Sequence, residues 1–184
     1  MTAREAYEKA KKAQKRFPEL EPDIIQDAEW AYRYALHIIK GRWLESEPTI
    51  MKNAHWAYCY ARDMIKGRWP EAEPTIMQDV KWTYYYSTDV IKNRWSEAEP
   101  IIMQDTQYAF WYSKNIIKGR WLEAEPIIAK SAYIYGYIEH FFDETVVTKD
   151  QVDIIDWQRN KQVGHFAPAR LFETKISLLD MVIE

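Results

Sequence analysis

The sequence predicts an all-α chain: a short α-solenoid of five 26-residue helix-turn-helix repeats with capping helices at its N- and C-terminal ends. Three observations predict it. A signature recurs every 26 residues without slippage: Arg16, Arg42, Arg68, Arg94 and Arg120, each followed by an aromatic, Phe17, Trp43, Trp69, Trp95 or Trp121. Each period then carries two acids and a proline, as in Glu71, Glu73 and Pro74, with isoleucine two residues further on. Each also carries the start signal of a longer helix, and four of the five its stop signal. Repetition at such a period marks a structural unit that cannot bury its apolar face alone and stacks on its neighbours to do so.

Residues 1–15 read as the N-terminal capping helix. Ala6-Tyr7 to Arg16 resembles the second half of a long helix, Ala31-Tyr32 to Arg42, one residue shorter and rich in lysine. Its basic residues, Lys9, Lys11, Lys12, Lys15 and Arg16, suit a solvated outer face; contact with nucleic acid or another anionic surface is the alternative.

Residues 16–144 hold the five repeats. Each long helix opens at Asp27, Asn53, Asp79, Asp105 or Ser131, whose side chains accept a backbone N–H at a helix start. It is expected to close at Gly41, Gly67, Asn93 and Gly119, the residue types that tolerate the left-handed conformation. Lys40, Lys66, Lys92 and Lys118 then fall in the last turn, where a cation suits the helix dipole. The resulting helix is about 13 residues long. A second, shorter helix of one or two turns is signalled by Pro-x-Ile-Met, as in Pro74-Thr75-Ile76-Met77, with proline in its first turn. At 100° per residue, Trp56, Ala57, Tyr60, Ala61, Met64 and Ile65 cover one half of the long helix, with Tyr58 at the margin. That half is the expected buried face, and five stacked units would extend about 40–50 Å.

The pattern fades after Ser131 and is gone from about Thr145. Residues 145–184 read as a helical cap or as an independent appendage. Two helices are expected there, over 150–159 and 168–183, around a turn at Val163-Gly164-His165. Leu171, Phe172, Ile176, Leu179 and Val182 give the last one an apolar stripe.

Composition bounds the function. With 184 residues, 47% of them apolar, the chain is large enough to bury a core. Twenty-five basic residues against 28 acidic ones leave a formal charge of −3, which speaks against a surface built for nucleic acid. One cysteine excludes an intrachain disulfide framework and fits a reducing compartment. No apolar run approaches a membrane span, and the first residues are charged rather than signal-like, so a cytoplasmic protein with no membrane association is expected.

Arg-Trp-Pro-Glu-Ala-Glu-Pro (68–74), with Ala-Tyr-x-Tyr-Ala (57–61) and Ile-Lys-Gly-Arg-Trp (65–69), resembles short helical repeat proteins of bacteriophages and some large DNA viruses. The resemblance covers roughly residues 16–144. It implies a viral origin, hence host cytoplasm, and a helical array; it carries over no catalytic residue, since the function of that group is mostly unassigned.

No chemistry of a known type is spelled out. His37, His55, His140 and His165 lie in different periods, with no partner at metal-ligand spacing, so no metal or cofactor is expected. Cys59 lacks the pairing a nucleophile needs. The Glu-x-Glu pairs recur beside an equally recurrent arginine and are expected to hold units together by ion pairing. The sequence predicts no enzyme.

Binding is where the periods differ. On the long helix the variable sector contains Glu29, His55, Lys81, Gln107 and Tyr133 in one register, and Arg33, Cys59, Tyr85, Trp111 and Tyr137 in another. Arg62, Thr88 and Lys114 follow, with Asp63, Asp89 and Asn115. Tyr85, Trp111 and Tyr137 form a row opposite the apolar half, and Lys81, Gln107, Tyr133, Arg62 and Lys114 flank it. Exposed Tyr and Trp supply large, rigid contact area. Two readings of the row stand: a binding surface, or a surface covered by the C-terminal segment. The first function expected is therefore a viral interaction protein that binds a host or viral protein, with inhibition of a host defence or host process as its use. The second is sequestration of a small anionic ligand such as a nucleotide, with Arg62 or Lys114 meeting phosphate. The third is a structural homo-oligomer whose aromatic row is a self-interface.

Overall fold

The computed structural model describes Met1–Phe141, and every regular element there is a helix. The cap or appendage expected over 145–184, with its two helices, lies outside the described residues. The chain forms two compact units, Met1–Tyr108 and a second beginning at Ala109.

In the first unit, α1 (Ala3–Ala13) precedes a recurring pair of short and long helices. The pairs are α2 (Glu21–Ile24) with α3 (Ala28–Tyr34), α4 (Glu47–Ile50) with α5 (Ala54–Tyr60), and α6 (Glu73–Ile76) with α7 (Val80–Tyr86), followed by α8 (Glu99–Ile102). Each long helix packs against the next long helix and against the short helix that follows it. The unit boundary falls inside α9 (Thr106–Tyr112); the second unit continues with α10 (Glu125–Ile128) and α11 (Tyr133–Phe141).

The helix starts follow the sequence. Thr2 and Glu5 make a reciprocal capping box at α1, and Ala6, Tyr7 and Ala10 form its buried face. The Asp27 carboxylate accepts from the N–H groups of Glu29 and Trp30, and Asp79 does the same for Lys81 and Trp82. Asn53 accepts from Trp56, and Asp105 from Gln107 and Tyr108. Each short helix has proline in its first turn, where the missing N–H costs nothing.

The helix ends do not follow it. The left-handed residues at the ends of the long helices are Lys40, Lys66, Lys92 and Lys118, with φ of 59°, 58°, 57° and 56°; Gln14 plays the same part after α1, and among the described residues no glycine has positive φ. The reason is a wide π turn that finishes each long helix, at Ala35–Ile39, Ala61–Ile65, Ser87–Ile91 and Ser113–Ile117. The Lys66 N–H reaches back to the Ala61 carbonyl at 2.7 Å, and the Gly67 N–H shares that acceptor. Chain reversal is thus completed one residue earlier than the glycine.

Small residues allow that turn to be buried. Ala35, Ala61, Ser87 and Ser113 are all fully inaccessible. Where serine replaces alanine, its hydroxyl donates to the carbonyl one turn back, Thr83 for Ser87 and Ala109 for Ser113, both at 2.8 Å. The core beside them consists of Tyr34, Tyr60, Tyr86 and Tyr112 with Ile24, Ile50, Ile76 and Ile102. The π turn also spoils a uniform 100° wheel. Met64 and Ile65, which lie in that turn and were expected in the buried half, are half-exposed. Ahead of the turn, Trp56 is also half-exposed, while Tyr58 and Cys59 are buried because neighbouring helices cover that side too.

Candidate functional site

A buried clamp fixes each loop to the long helix after it. Arg42 grips Glu47 through two hydrogen bonds, Nε to Oε1 at 2.6 Å and Nη2 to Oε2 at 3.0 Å. The Tyr60 hydroxyl donates to Glu47 Oε1 at 3.2 Å and accepts the Trp43 N–H at 2.6 Å. Arg68, Glu73, Tyr86 and Trp69 repeat the arrangement, and so do Arg120, Glu125, Tyr137 and Trp121. Arg16, Glu21, Tyr34 and Phe17 form a more exposed version at the N-terminal end. The second acid of each Glu-x-Glu motif is thus consumed inside its own period, five residues from its arginine. The expectation that the pairs tie one period to the next is corrected for this acid: its ion pair closes a loop locally, because both partners lie in it. The first acid does act between periods, the charges of Glu45, Glu71 and Glu97 bearing on Arg16, Arg42 and Arg68 of the period before.

One long helix meets the next through paired aromatic rings, and the Tyr32 and Tyr58 hydroxyls donate to Asp63 and Asp89 at the end of the next helix. Tyr7 meets Trp30 at 5.3 Å between centroids, Tyr32 meets Trp56 at 5.4 Å, Tyr58 meets Trp82 at 5.6 Å, and Tyr84 meets Tyr108 at 5.3 Å. In the second unit Phe110 meets Tyr133 at 6.0 Å. The first ring of each pair is buried or half-buried, and the second stays half-exposed at the start of its helix.

This placement brings part of the expected surface together. In the first unit Tyr85 is half-exposed and lies against Tyr58, Trp82 and Tyr84. The Lys81 ammonium sits 4.5 Å over Trp82, and the Arg62 guanidinium 5.1 Å over Tyr58. His55 stacks between Trp56 and Trp82, with centroids 4.3 Å and 4.2 Å away. Burial, helped by the positive charges of Lys81 and Arg62, pushes the His55 pKa below its ordinary value, so its ring is neutral at pH 7. Gln107 is half-exposed near the start of α9. Tyr85, Lys81 and Arg62 therefore belong to one patch of rings and cations. Trp56, Tyr58 and Trp82 complete that patch, and sequence reasoning missed them by assigning them to the buried half or its margin. Their signal was present: an aromatic one turn before each core tyrosine, at a helix start.

In the second unit Trp111 is half-exposed and Lys114 exposed. Tyr137 is not on this face: it is fully buried, donating to Glu125 and accepting from Trp121. The fifth period is one residue shorter between its tryptophan and its core tyrosine, so Tyr137 takes the place of Tyr34, Tyr60 and Tyr86 rather than of Tyr85 and Trp111. The same shift moves Tyr133 out of the Lys81 and Gln107 register into that of Trp30, Trp56 and Trp82. The residue now matching Tyr85 is Gly136, where a Cβ would lie 3.3 Å from the Phe110 ring.

Other chemistry is sparse. Burial pushes the Cys59 thiol up to about 11, leaving it protonated at neutral pH. Among the described residues no three His, Cys, Asp or Glu side chains converge on one point, and no helix is long and apolar enough to cross a membrane. The chain matches no protein-family model, no curated protein and no solved structure.

Proposed function

We propose that the chain is a non-enzymatic interaction module, an α-solenoid of five 26-residue repeats that binds a partner protein through its ring-and-cation face. The observation that carries this reading is the patch formed by Trp82, Tyr85, Tyr58 and His55 under Lys81 and Arg62. Tyr, Trp and Arg are the residue types that dominate binding energy at protein interfaces. Here Trp82, Tyr85 and His55 are half-exposed over the buried Tyr58, and they are held by helices whose loops are clamped, so little conformational freedom remains to be lost on binding. The resemblance of the Arg-Trp-Pro-Glu-Ala-Glu-Pro signature to viral helical repeat proteins supports a host or viral protein as the partner. Inhibition of a host defence or host process is then its use.

The test is affinity capture from host lysate with the full chain and with Lys81→Glu/Tyr85→Ala. A partner held by the native chain and lost by the variant is expected, with helical circular dichroism unchanged. Recovering no partner sensitive to the variant would count against the reading.

A further inference from the structure

We propose that the cleft between the final turns of α5 and α7 binds a small phosphate-type polyanion. The cleft holds about 510 Å³ and is lined by Arg62, Lys66, Gly67, Asp89, Val90 and Lys92. That volume lies within the range of small-molecule sites. No aromatic ring lines it, so the group it suits is the phosphate itself rather than a stacked base.

Three cations converge there. Lys66 and Lys92 occupy the same position in consecutive helices, both in the left-handed region at φ 58° and 57°. Both lysines are exposed, and neither makes an ion pair among the described residues.

Arg62 is the variable member, since Leu36, Thr88 and Lys114 stand at its equivalents. It is already locked: Nε and Nη2 donate to Asp63 at 2.7 and 2.8 Å, and Nη1 donates to the Tyr58 hydroxyl at 2.9 Å. A guanidinium has five N–H groups, so two remain for a ligand, fixed in direction before it arrives.

The nearby carboxylates are occupied. Asp89 accepts from the hydroxyls of Tyr58 and Thr88, and Asp63 accepts from Tyr32 at 2.7 Å as well as from Arg62. With both aspartates counted, three cations leave one net positive charge, so affinity is modest and falls with salt.

The experiment titrates the full chain with inorganic pyrophosphate at low ionic strength, followed by amide chemical shifts. Saturable binding with a Kd of about 0.1–1 mM is expected. Lys66→Gly/Lys92→Gly removes both ammoniums while relieving backbone strain, so the variant folds; its affinity should fall about tenfold. Lys40→Gly/Lys118→Gly makes the same change at equivalent positions outside the lining and should leave affinity unchanged. Absence of saturable binding, or equal weakening in the two double variants, would overturn the proposal. The second outcome would mean that pyrophosphate responds only to total surface charge.

Discussion

The backbone N–H of Trp69 donates to the Tyr86 hydroxyl at 2.6 Å, across 17 residues of sequence. That hydroxyl passes its own hydrogen to Glu73 Oε1 at 3.1 Å, and Glu73 is in turn gripped by Arg68. One phenol oxygen thus satisfies a buried donor and a nearly buried carboxylate together. Tyr86→Phe keeps the ring and removes both bonds. Leaving a buried N–H unpaired costs about 1–3 kcal/mol, and a loss near 2 kcal/mol is expected in urea unfolding followed by circular dichroism. A loss under about 0.5 kcal/mol would mean that water replaces the hydroxyl.

Alkaline pH should act through the same hydroxyls. Burial pushes the Tyr60 phenol from its ordinary value of 10 up to about 12, and Tyr86 and Tyr137 move in the same direction for the same reason. A folded-state value above the unfolded one means that these groups contribute stability fully below pH 10, and that the contribution is lost as pH rises towards 12. Phenolate absorbance of the core tyrosines and loss of helical signal should therefore rise together above pH 10. Ionisation of every tyrosine near pH 10 with the helices intact would contradict the buried clamp.

The left-handed lysines make an engineering prediction. Lys118→Gly removes the Cβ clash at φ 56°. After the extra chain entropy of glycine, it should stabilise the chain by about 0.5–1 kcal/mol. Gly119→Ala should change little, because a Cβ there meets nothing within 4 Å. If the second substitution proves the damaging one, the helix end has been misplaced by a residue.

Tyr137 and Trp111 should separate cleanly. Tyr137→Ala empties a fully buried site and should cost about 3–5 kcal/mol. Tyr85→Ala/Trp111→Ala alters half-exposed side chains and should remain folded. Mass in solution across a concentration series, on the native chain and this double variant, then tests the self-interface. A native oligomer that becomes a folded monomer would make the partner a second copy of the chain.

The helical class and the helix starts were legible because they depend on local chemistry repeated five times. Asp27, Asn53 and Asp79 cap as a side chain of that type must in that position. The helix ends were not legible, since glycine after lysine is the ordinary signature of a left-handed glycine. Only the π turn, which no residue type announces, moves that conformation onto the lysine. Trp56 and Trp82 are a separate matter: they lie in regular helix ahead of that turn, and their rings pack against the tyrosine of the preceding helix and stay half-exposed, which an apolar residue type at the edge of the buried half does not announce. Tyr137 was misplaced for a different reason. A fixed 26-residue count was carried across a one-residue deletion, which the hydrogen bond to Trp121 reveals.

The clamps also bear on how the chain acquires its structure. They are closed by bonds spanning 5, 13 and 17 residues, as between Arg68 and Glu73, Tyr86 and Glu73, and Trp69 and Tyr86, or 5, 12 and 16 at Tyr137. None needs a distant segment to arrive first, so the entropy of closing each loop is small. Low sequence separation between contacting residues is the property that accompanies rapid folding. A loop and its following helix can therefore set as soon as both have left the ribosome, in the order of synthesis. Gain or loss of a whole 26-residue period by recombination would leave every remaining clamp intact, whereas a frame-preserving deletion of one residue inside a clamp must be absorbed as it is at Tyr137.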